Sequence, residues 1–204
     1  MLPKARLIDP LTIPVPTEVR TARLRLSKAS TSMASQLAEA RSESYSSLFP
    51  WFHNEMGTQV EEAEAAWQEL RLADQVQDFE RRTVLSYYAF DREALIGMVG
   101  LRPFWRRGQV KLTYWVRSSV HRQGYGEAAV GAMVVFAFKA LSARVVTTGH
   151  AEPNTGSARL ARKLGFKQIA RQPLACEAPD GTLVAGIGYA IEDVESLRTL
   201  SVTW

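Results

Sequence analysis

Polar and apolar residues alternate along Arg23-Leu24-Arg25-Leu26-Ser27 with the two-residue period of a strand that buries one face, and a short helix is expected to follow from Met33 to Arg41. Between Tyr45 and Met56, Pro50 sits among Phe49, Trp51 and Phe52. That stretch is too aromatic for a solvated linker and too proline-broken for a helix, so it reads as a loop folded over a site or a partner surface. Thr58 with Glu61 has the form of a capping box, and Val60, Ala63, Trp67 and Leu70 recur at helical spacing, which predicts a helix from Thr58 to Phe79. Three strand-like runs come next, Thr83–Phe90, Ala94–Phe104 and Gln109–Val116. Separators as short as Asp91-Arg92 and Arg106-Arg107-Gly108 predict an antiparallel meander.

The pattern then changes: Gly124–Leu141 is apolar and alanine-rich at helical spacing, Arg144–Thr148 reads as a short strand, and Asn154–Leu164 is helical again. Strand, helix, strand and helix in that order require a parallel crossover. Phe166–Leu174, a turn at Pro179-Asp180-Gly181, and Leu183–Ile191 close the chain as a hairpin. Residues 1–20 carry Pro3, Pro10, Pro14 and Pro16 and predict an extended arm, because each proline fixes φ and turns its predecessor away from helix. The expected division is an arm over 1–20, one α/β (α+β) domain over 21–192, and a tail over 193–204.

Composition narrows the class. A chain of 204 residues that is 46% hydrophobic and 23% charged has the material for one core and the balance of a soluble globular protein. The net charge of +4 is spread along the chain, which suits a small anionic ligand and does not demand nucleic acid. Cys176 stands alone, so no intrachain disulfide forms, and no Cys/His cluster suggests a metal; a reducing cytoplasm is the expected location. The first twenty residues hold no apolar run long enough for a signal peptide or a membrane span.

Candidate chemistry concentrates between Tyr114 and Ala128, where a strand passes through the polar loop Arg117 to Gln123 into a helix that begins around Gly124 and Gly126. A helix start leaves backbone N–H groups unpaired at the positive end of its dipole, and glycines let a phosphate approach them. Without Gly-Lys-Ser or Gly-Lys-Thr the segment is no P-loop. Gly124-Tyr125-Gly126-Glu127-Ala128-Ala129 fits the loose dinucleotide pattern, but after a meander and a long loop instead of a first parallel strand. A glycine-softened helix start with no ligand is the plain alternative.

His121-Arg122-Gln123-Gly124-Tyr125-Gly126, followed by Asn154-Thr155-Gly156-Ser157-Ala158-Arg159 and Lys163-Leu164-Gly165-Phe166, resembles the GCN5-related N-acetyltransferase (GNAT) superfamily, and within it the RimJ/RimL-type group. The first segment is similar to that family's Arg/Gln-x-x-Gly-x-Gly/Ala loop, with His121 at the position of Arg or Gln. Thr21 to Leu26 and the pair Tyr114-Trp115 add to the resemblance, which spans Thr21 to Ile191.

The resemblance implies a GNAT fold: a twisted, mixed, mostly antiparallel sheet of about seven strands, splayed between the fourth and fifth and flanked by helices. It implies acetyl-CoA as cofactor and direct transfer to a primary amine, whether a protein or peptide N-terminus or a small amine. Cofactor contacts would fall on Trp115, Val116, Arg117, His121, Arg122, Gln123, Gly124, Tyr125, Gly126, Glu127, Asn154 and Ser157, with the Val116 N–H toward the thioester oxygen. Trp51, Phe52 and Tyr114 would meet the acceptor, and no membrane, nucleic acid or metal is called for. A homodimer contact or a core lid is the other reading of the aromatic stretch. Ser157 would protonate the departing thiolate, because the family's frequent tyrosine acid falls at Ala161. Lys111 stands where the group often has a glutamate base, which leaves His150 or Glu152 as candidates. Asn154 reads equally as a helix N-cap, whereas a lone strand-end histidine such as His150 is more often structural. Glu127 reads as a first-turn carboxylate favoured by the helix dipole. Two rivals remain at this point: a non-catalytic acyl-CoA-binding module and a nicotinamide-dinucleotide binder.

Overall fold

The computed structural model describes residues 9–204; residues 1–8, with Pro3 and the start of the expected arm, lie outside them. Its strands are β1 (Glu18–Thr21), β2 (Arg25–Lys28), β3 (Leu85–Asp91), β4 (Ala94–Phe104), β5 (Gln109–Val116), β6 (Val145–Ala151), β7 (Lys167–Glu177), β8 (Leu183–Ile191) and β9 (Val202–Thr203). Its helices are α1 (Ala34–Phe52), α2 (Gln59–Glu62), α3 (Ala65–Glu80), α4 (Tyr125–Lys139) and α5 (Thr155–Lys163). All the strands join one sheet in the order β7-β8-β6-β5-β4-β3-β2-β1-β9. Only β5 and β6 pair in parallel, because only α4 carries the chain back across the sheet between paired neighbours. The architecture is the expected mostly antiparallel α/β sheet with nine strands instead of seven. β1 begins inside the stretch expected to be an arm, and β9 comes from the expected tail and pairs with β1.

Helices cover both faces of the sheet, which is why β3 is buried at Leu85 through Phe90. Leu85, Tyr87 and Ala89 pack with Met133 and Phe136 of α4, while Tyr88 and Phe90 pack with Leu37 and Leu48 of α1 and Leu72 of α3. Each fully buried large side chain of this set stabilises the fold by about 1.5–3 kcal/mol.

Two sequence expectations need correction. The aromatic stretch is no loop: α1 runs on to Phe52 with Pro50 inside it. Pro50 lies in the last turn, so the missing N–H removes one bond with only two residues of helix still to come. Leu48 is buried and Tyr45 stacks on Phe49 at 5.2 Å between ring centres, which hold that turn. The helix expected over Thr58–Phe79 is two helices parted at Ala63-Glu64. The capping box of Thr58 and Glu61 is present, but Val60 and Leu70, expected inside, are 69% and 67% exposed. Glu62, Gln68, Leu72 and Phe79 face inward in their place, because Arg41 of α1 draws the Glu62 carboxylate into the protein.

Candidate active site

β5 and β6 pair only at Gln109↔Val145, Val110↔Val146 and Lys111↔Thr147, and beyond Lys111 they part. The direction of the freed backbone groups follows from the other side of β5. Antiparallel ladders alternate bonded and non-bonded residue pairs. The Arg117 N–H donates to the Ile96 carbonyl at 2.7 Å, and Gly97 is paired with Val116, so the N–H and C=O of Val116 and Tyr114 face away from β4 into the gap. Two side chains reach into it. Thr148 Oγ1 donates to the Leu112 carbonyl at 3.2 Å, and His121 Nε2 lies 2.9 Å from the Val116 carbonyl.

Below the gap the chain turns through a 3₁₀ segment, Ser118–Val120, into α4. Gly124 has φ +84°, a left-handed conformation that glycine adopts without strain, and it starts α4 with no side-chain cap. From Arg122 to Glu127 no backbone N–H finds an acceptor among the described residues; the neighbouring bonds are those of Val120, His121 and Ala128. These are free donors at the positive end of a fifteen-residue helix.

The loop is clamped from outside. Arg23 donates to the Gln123 carbonyl at 2.6 Å and lies 3.6 Å over the Tyr125 ring, and the Tyr125 hydroxyl donates to Asp91 at 2.5 Å. Arg117 pairs with Glu43 at 2.5 Å and also with Glu39, both on α1. Burial would raise the Glu43 carboxyl, but hydrogen bonds from Ser119 and Arg117 outweigh it and hold the group down to about 2.

Two clefts open on the splayed gap. One, of about 490 Å³, runs past the free amides with Arg122, Arg159 and Lys163 on its walls. The other, of about 520 Å³, lies over the open sheet with Glu55, Lys111, His150 and Cys176 on its walls. Trp51, Phe52, Tyr114, Asn154 and Ser157 line both, so the clefts meet at these residues.

The expected site residues sort by this geometry. Trp115, Val116, His121, Arg122, Gly124, Gly126 and Glu127 line the first cleft. Tyr125 reaches it as well, with its side chain mostly buried against the core. Arg117 and Gln123 do not line it: the Arg117 guanidinium is held by α1, and the Gln123 carbonyl by Arg23. Glu127 pairs with Lys163 at 2.6 Å, so its charge is matched beside the free donors. Asn154 caps α5 by accepting the Ser157 N–H at 3.0 Å, the N-cap geometry, while still facing both clefts. Burial pushes the Tyr114 phenol up, and the hydroxyls of Ser157 and Thr148 beside it pull it only part of the way back.

His150 lines the second cleft, with Nδ1 2.9 Å from the Ala151 carbonyl, its ring stacked on Tyr189, and Nε2 buried without a partner among the described residues. Glu152 lines neither cleft and is tied to Arg171 by bonds of 2.7 and 2.8 Å that lower its carboxyl. Sequence reasoning missed Arg23, Glu55 and Thr148. Arg23 counted only as a polar position of an alternating strand and Glu55 as part of the aromatic stretch, and nothing in local spacing ties Arg23 to a loop 100 residues away. Among the described residues no cluster of three or more His, Cys, Asp or Glu could hold a metal, and no helix is long and apolar enough to cross a membrane.

A family model described as an acetyltransferase (GNAT) domain matches residues 23–167. No curated protein matches the chain in sequence. Among solved structures, the ribosomal-protein-S5-alanine acetyltransferase of Vibrio fischeri superposes with a TM-score of 0.76 at 16% identity, covering 88% of this chain and 98% of that one. RimJ of Mycobacterium smegmatis, solved with a CoA-disulfide, gives 0.78 at 17% identity over 89% and 90%. An acetyltransferase of Salmonella typhimurium that modifies the N-terminal serine of a 50S ribosomal subunit protein gives 0.75 at 16% over 85% and 96%. At these identities the likeness is one of fold.

Proposed function

We propose that this chain, which belongs to the acetyltransferase (GNAT) domain family, is an N-acetyltransferase that carries an acetyl group from acetyl-CoA straight to a primary amine held in the second cleft. One observation carries this reading: a cleft of unpaired backbone donors and a cleft over open sheet meet at Tyr114, Asn154 and Ser157. The residues fit the cofactor, since free amides over Arg122–Glu127 beside the Arg122 side chain suit a pyrophosphate. Acetyl-CoA supplies a thioester, and attack by a neutral amine forms the amide and releases the thiol.

Each residue then has a bounded task. The Val116 N–H, pointing into the gap, donates to the thioester oxygen, where a fixed dipole stabilises developing negative charge. Asn154 and the aromatic pair Trp51 and Phe52 hold the two reactants together at the junction, and positioning of this kind can supply much of the rate. Ser157, backed by the Tyr114 phenol, gives a proton to the departing sulfur. His150 takes the proton from the amine: a bond to the Ala151 carbonyl requires Nδ1–H, which leaves the lone pair of the neutral ring on Nε2.

Thiol release measured with acetyl-CoA and a panel of amines and N-terminal peptides tests the proposal. Turnover that saturates in both substrates is expected, and His150→Gln should lower kcat for every amine that is turned over. Tight CoA binding with no turnover on any amine would favour the second reading, a non-catalytic acyl-CoA-binding module. Lys111 and Ala161, where the resemblance leads one to expect proton-handling groups, are its support.

A further inference from the structure

The second cleft constrains its occupant beyond being a primary amine. Its floor is the uncovered face of β5, β6, β8 and β7, where Gly149, Ala170, Gly186 and Gly188 leave room for an extended chain to lie against the sheet. Lys111 is the only Lys or Arg lining this cleft among the described residues. It stands directly across from Arg102 in the β4–β5 register, and both are exposed. Among the described residues neither has a carboxylate within ion-pair distance. Like charges directly opposite in a sheet are destabilising, so this protein holds an unmatched pair of cations at one end of the cleft. Toward the other end the cleft carries the Glu177 carboxylate, and Glu55 also stands on its wall. Register places the junction between them: Lys111 lies three residues before Tyr114 on β5, and Glu177 lies beyond the end of β6 at Leu183 of β8.

We infer that the acceptor is a peptide N-terminus bearing Asp or Glu at its third or fourth residue, whose carboxylate is bound by Lys111 with support from Arg102. Three strand residues span roughly 10 Å, the reach of three residues of an extended peptide. A free amino acid, with its carboxylate two bonds from its amine, cannot bridge that span. The acidic end of the cleft draws the N-terminal ammonium toward the junction, and the basic end fixes the direction in which the peptide lies.

This inference rests on the acetyl-transfer reading for the place of the amine, and its test separates the two. Heptapeptides that differ only in Asp, Asn or Lys at positions three and four are compared in two ways: kcat/KM by thiol release, and affinity for the CoA-saturated protein by calorimetry. Wild type should favour the Asp peptides over the Asn peptides by roughly fivefold, the size of a partly exposed ion pair. Lys111→Glu should reverse the order in favour of the Lys peptides, Arg102→Ala should weaken the preference, and CoA affinity should hold in both variants. Equal values for Asp, Asn and Lys peptides in wild type would overturn the inference and leave acetyl transfer standing. Absence of peptide binding to the CoA-saturated protein would overturn it as well. Charge-dependent affinity that Lys111→Glu reverses, with no turnover of any peptide, would uphold the anion subsite and sink the transfer.

Discussion

Replacing Glu62 by Gln should unfold this protein more than any other single change to a polar side chain in α2 or α3. Glu62 is fully buried, and the Arg41 side chain that donates to it at 2.6 Å is only 8% exposed. The same carboxylate accepts from the Gly57 N–H at 2.9 Å and from Gln68 at 3.1 Å, so α1, α2, α3 and the turn between α1 and α2 share one buried anion. Gln keeps the shape but leaves the Arg41 guanidinium, which lies 5.6 Å over the Trp115 ring, charged and unpaired in the interior. Breaking a buried pair from one side costs about 3–5 kcal/mol, whereas replacing both partners by apolar residues of similar volume is close to neutral. For a chain of this length a loss of about 3 kcal/mol lowers the melting temperature by roughly 6–12 °C. Urea and thermal unfolding of Glu62→Gln, Arg41→Met and the double variant Arg41→Met with Glu62→Leu measure these quantities. The pH dependence gives a second reading. Burial would raise the Glu62 carboxyl, but the hydrogen bond and charge of Arg41, with Gly57 and Gln68, bring it below its ordinary value of 4.5. A carboxyl depressed in the folded state contributes fully above its unfolded value, and that contribution disappears as pH falls through the folded one. Wild type should therefore lose stability faster than Glu62→Gln as pH drops below about 4.5. A loss under about 1 kcal/mol for Glu62→Gln, with unchanged acid sensitivity, would refute the reasoning.

Three further outcomes follow from the site. Gly124→Ala adds a side chain at φ +84°, where it meets Arg23 Nη1 at an ordinary 3.7 Å but the backbone is strained by about 1–2 kcal/mol. CoA affinity by calorimetry should fall with stability, and Gly124→Asn should recover part of both. A Cβ at Gly97 would lie 2.3 Å from the Trp115 carbonyl oxygen, so Gly97→Ala should push β5 at the gap and cost about 1–3 kcal/mol. Its kcat should fall further than its CoA affinity, because the free amides lie elsewhere on the chain; an equal fall in both would argue against the gap as the site of chemistry. Ser157→Ala should lower kcat by roughly 10²-fold with little change in either KM, the size of a lost proton donor, and unaltered kcat would remove Ser157 from that role.

Much of this fold was written in local periodicity. β4 and β5 have the expected bounds, and the capping box of Thr58 is where two residues three apart place it. What local pattern could not carry was set by distant charge and by chain ends. Glu62 faces inward because Arg41, twenty-one residues earlier, waits there, which turns the apolar spacing of Val60 and Leu70 into a misleading signal. Pro50 misled for the opposite reason: a proline stops a helix that has turns still to form, and α1 had almost none. The glycine loop was legible because a helix start needs little tertiary help to expose its amides. The Arg23 clamp that steadies it spans 100 residues and left no local trace.

Two of the positions that depart from the family resemblance, Ala161 and Lys111, can be placed physically, and they bear differently on the proposed chemistry. Ala161 is 1% exposed and part of the core under α4, so the face of α5 that could have carried an acid is used for packing. A phenol is nevertheless present at the junction, from the facing strand: Tyr114 sits beside Ser157 and Thr148, desolvated enough to keep its proton. On the proposed reading the proton donor stays on α5, at Ser157, and the phenol that backs it comes from the strand edge that the splay exposes. Lys111 has no such substitute beside it. It is on the floor of the acceptor cleft, exposed, opposite Arg102, and an ammonium there cannot take a proton but disfavours the charged form of an amine that comes near it. On the proposed reading the base lies on the next strand instead, at His150, whose buried Nε2 has no partner among the described residues.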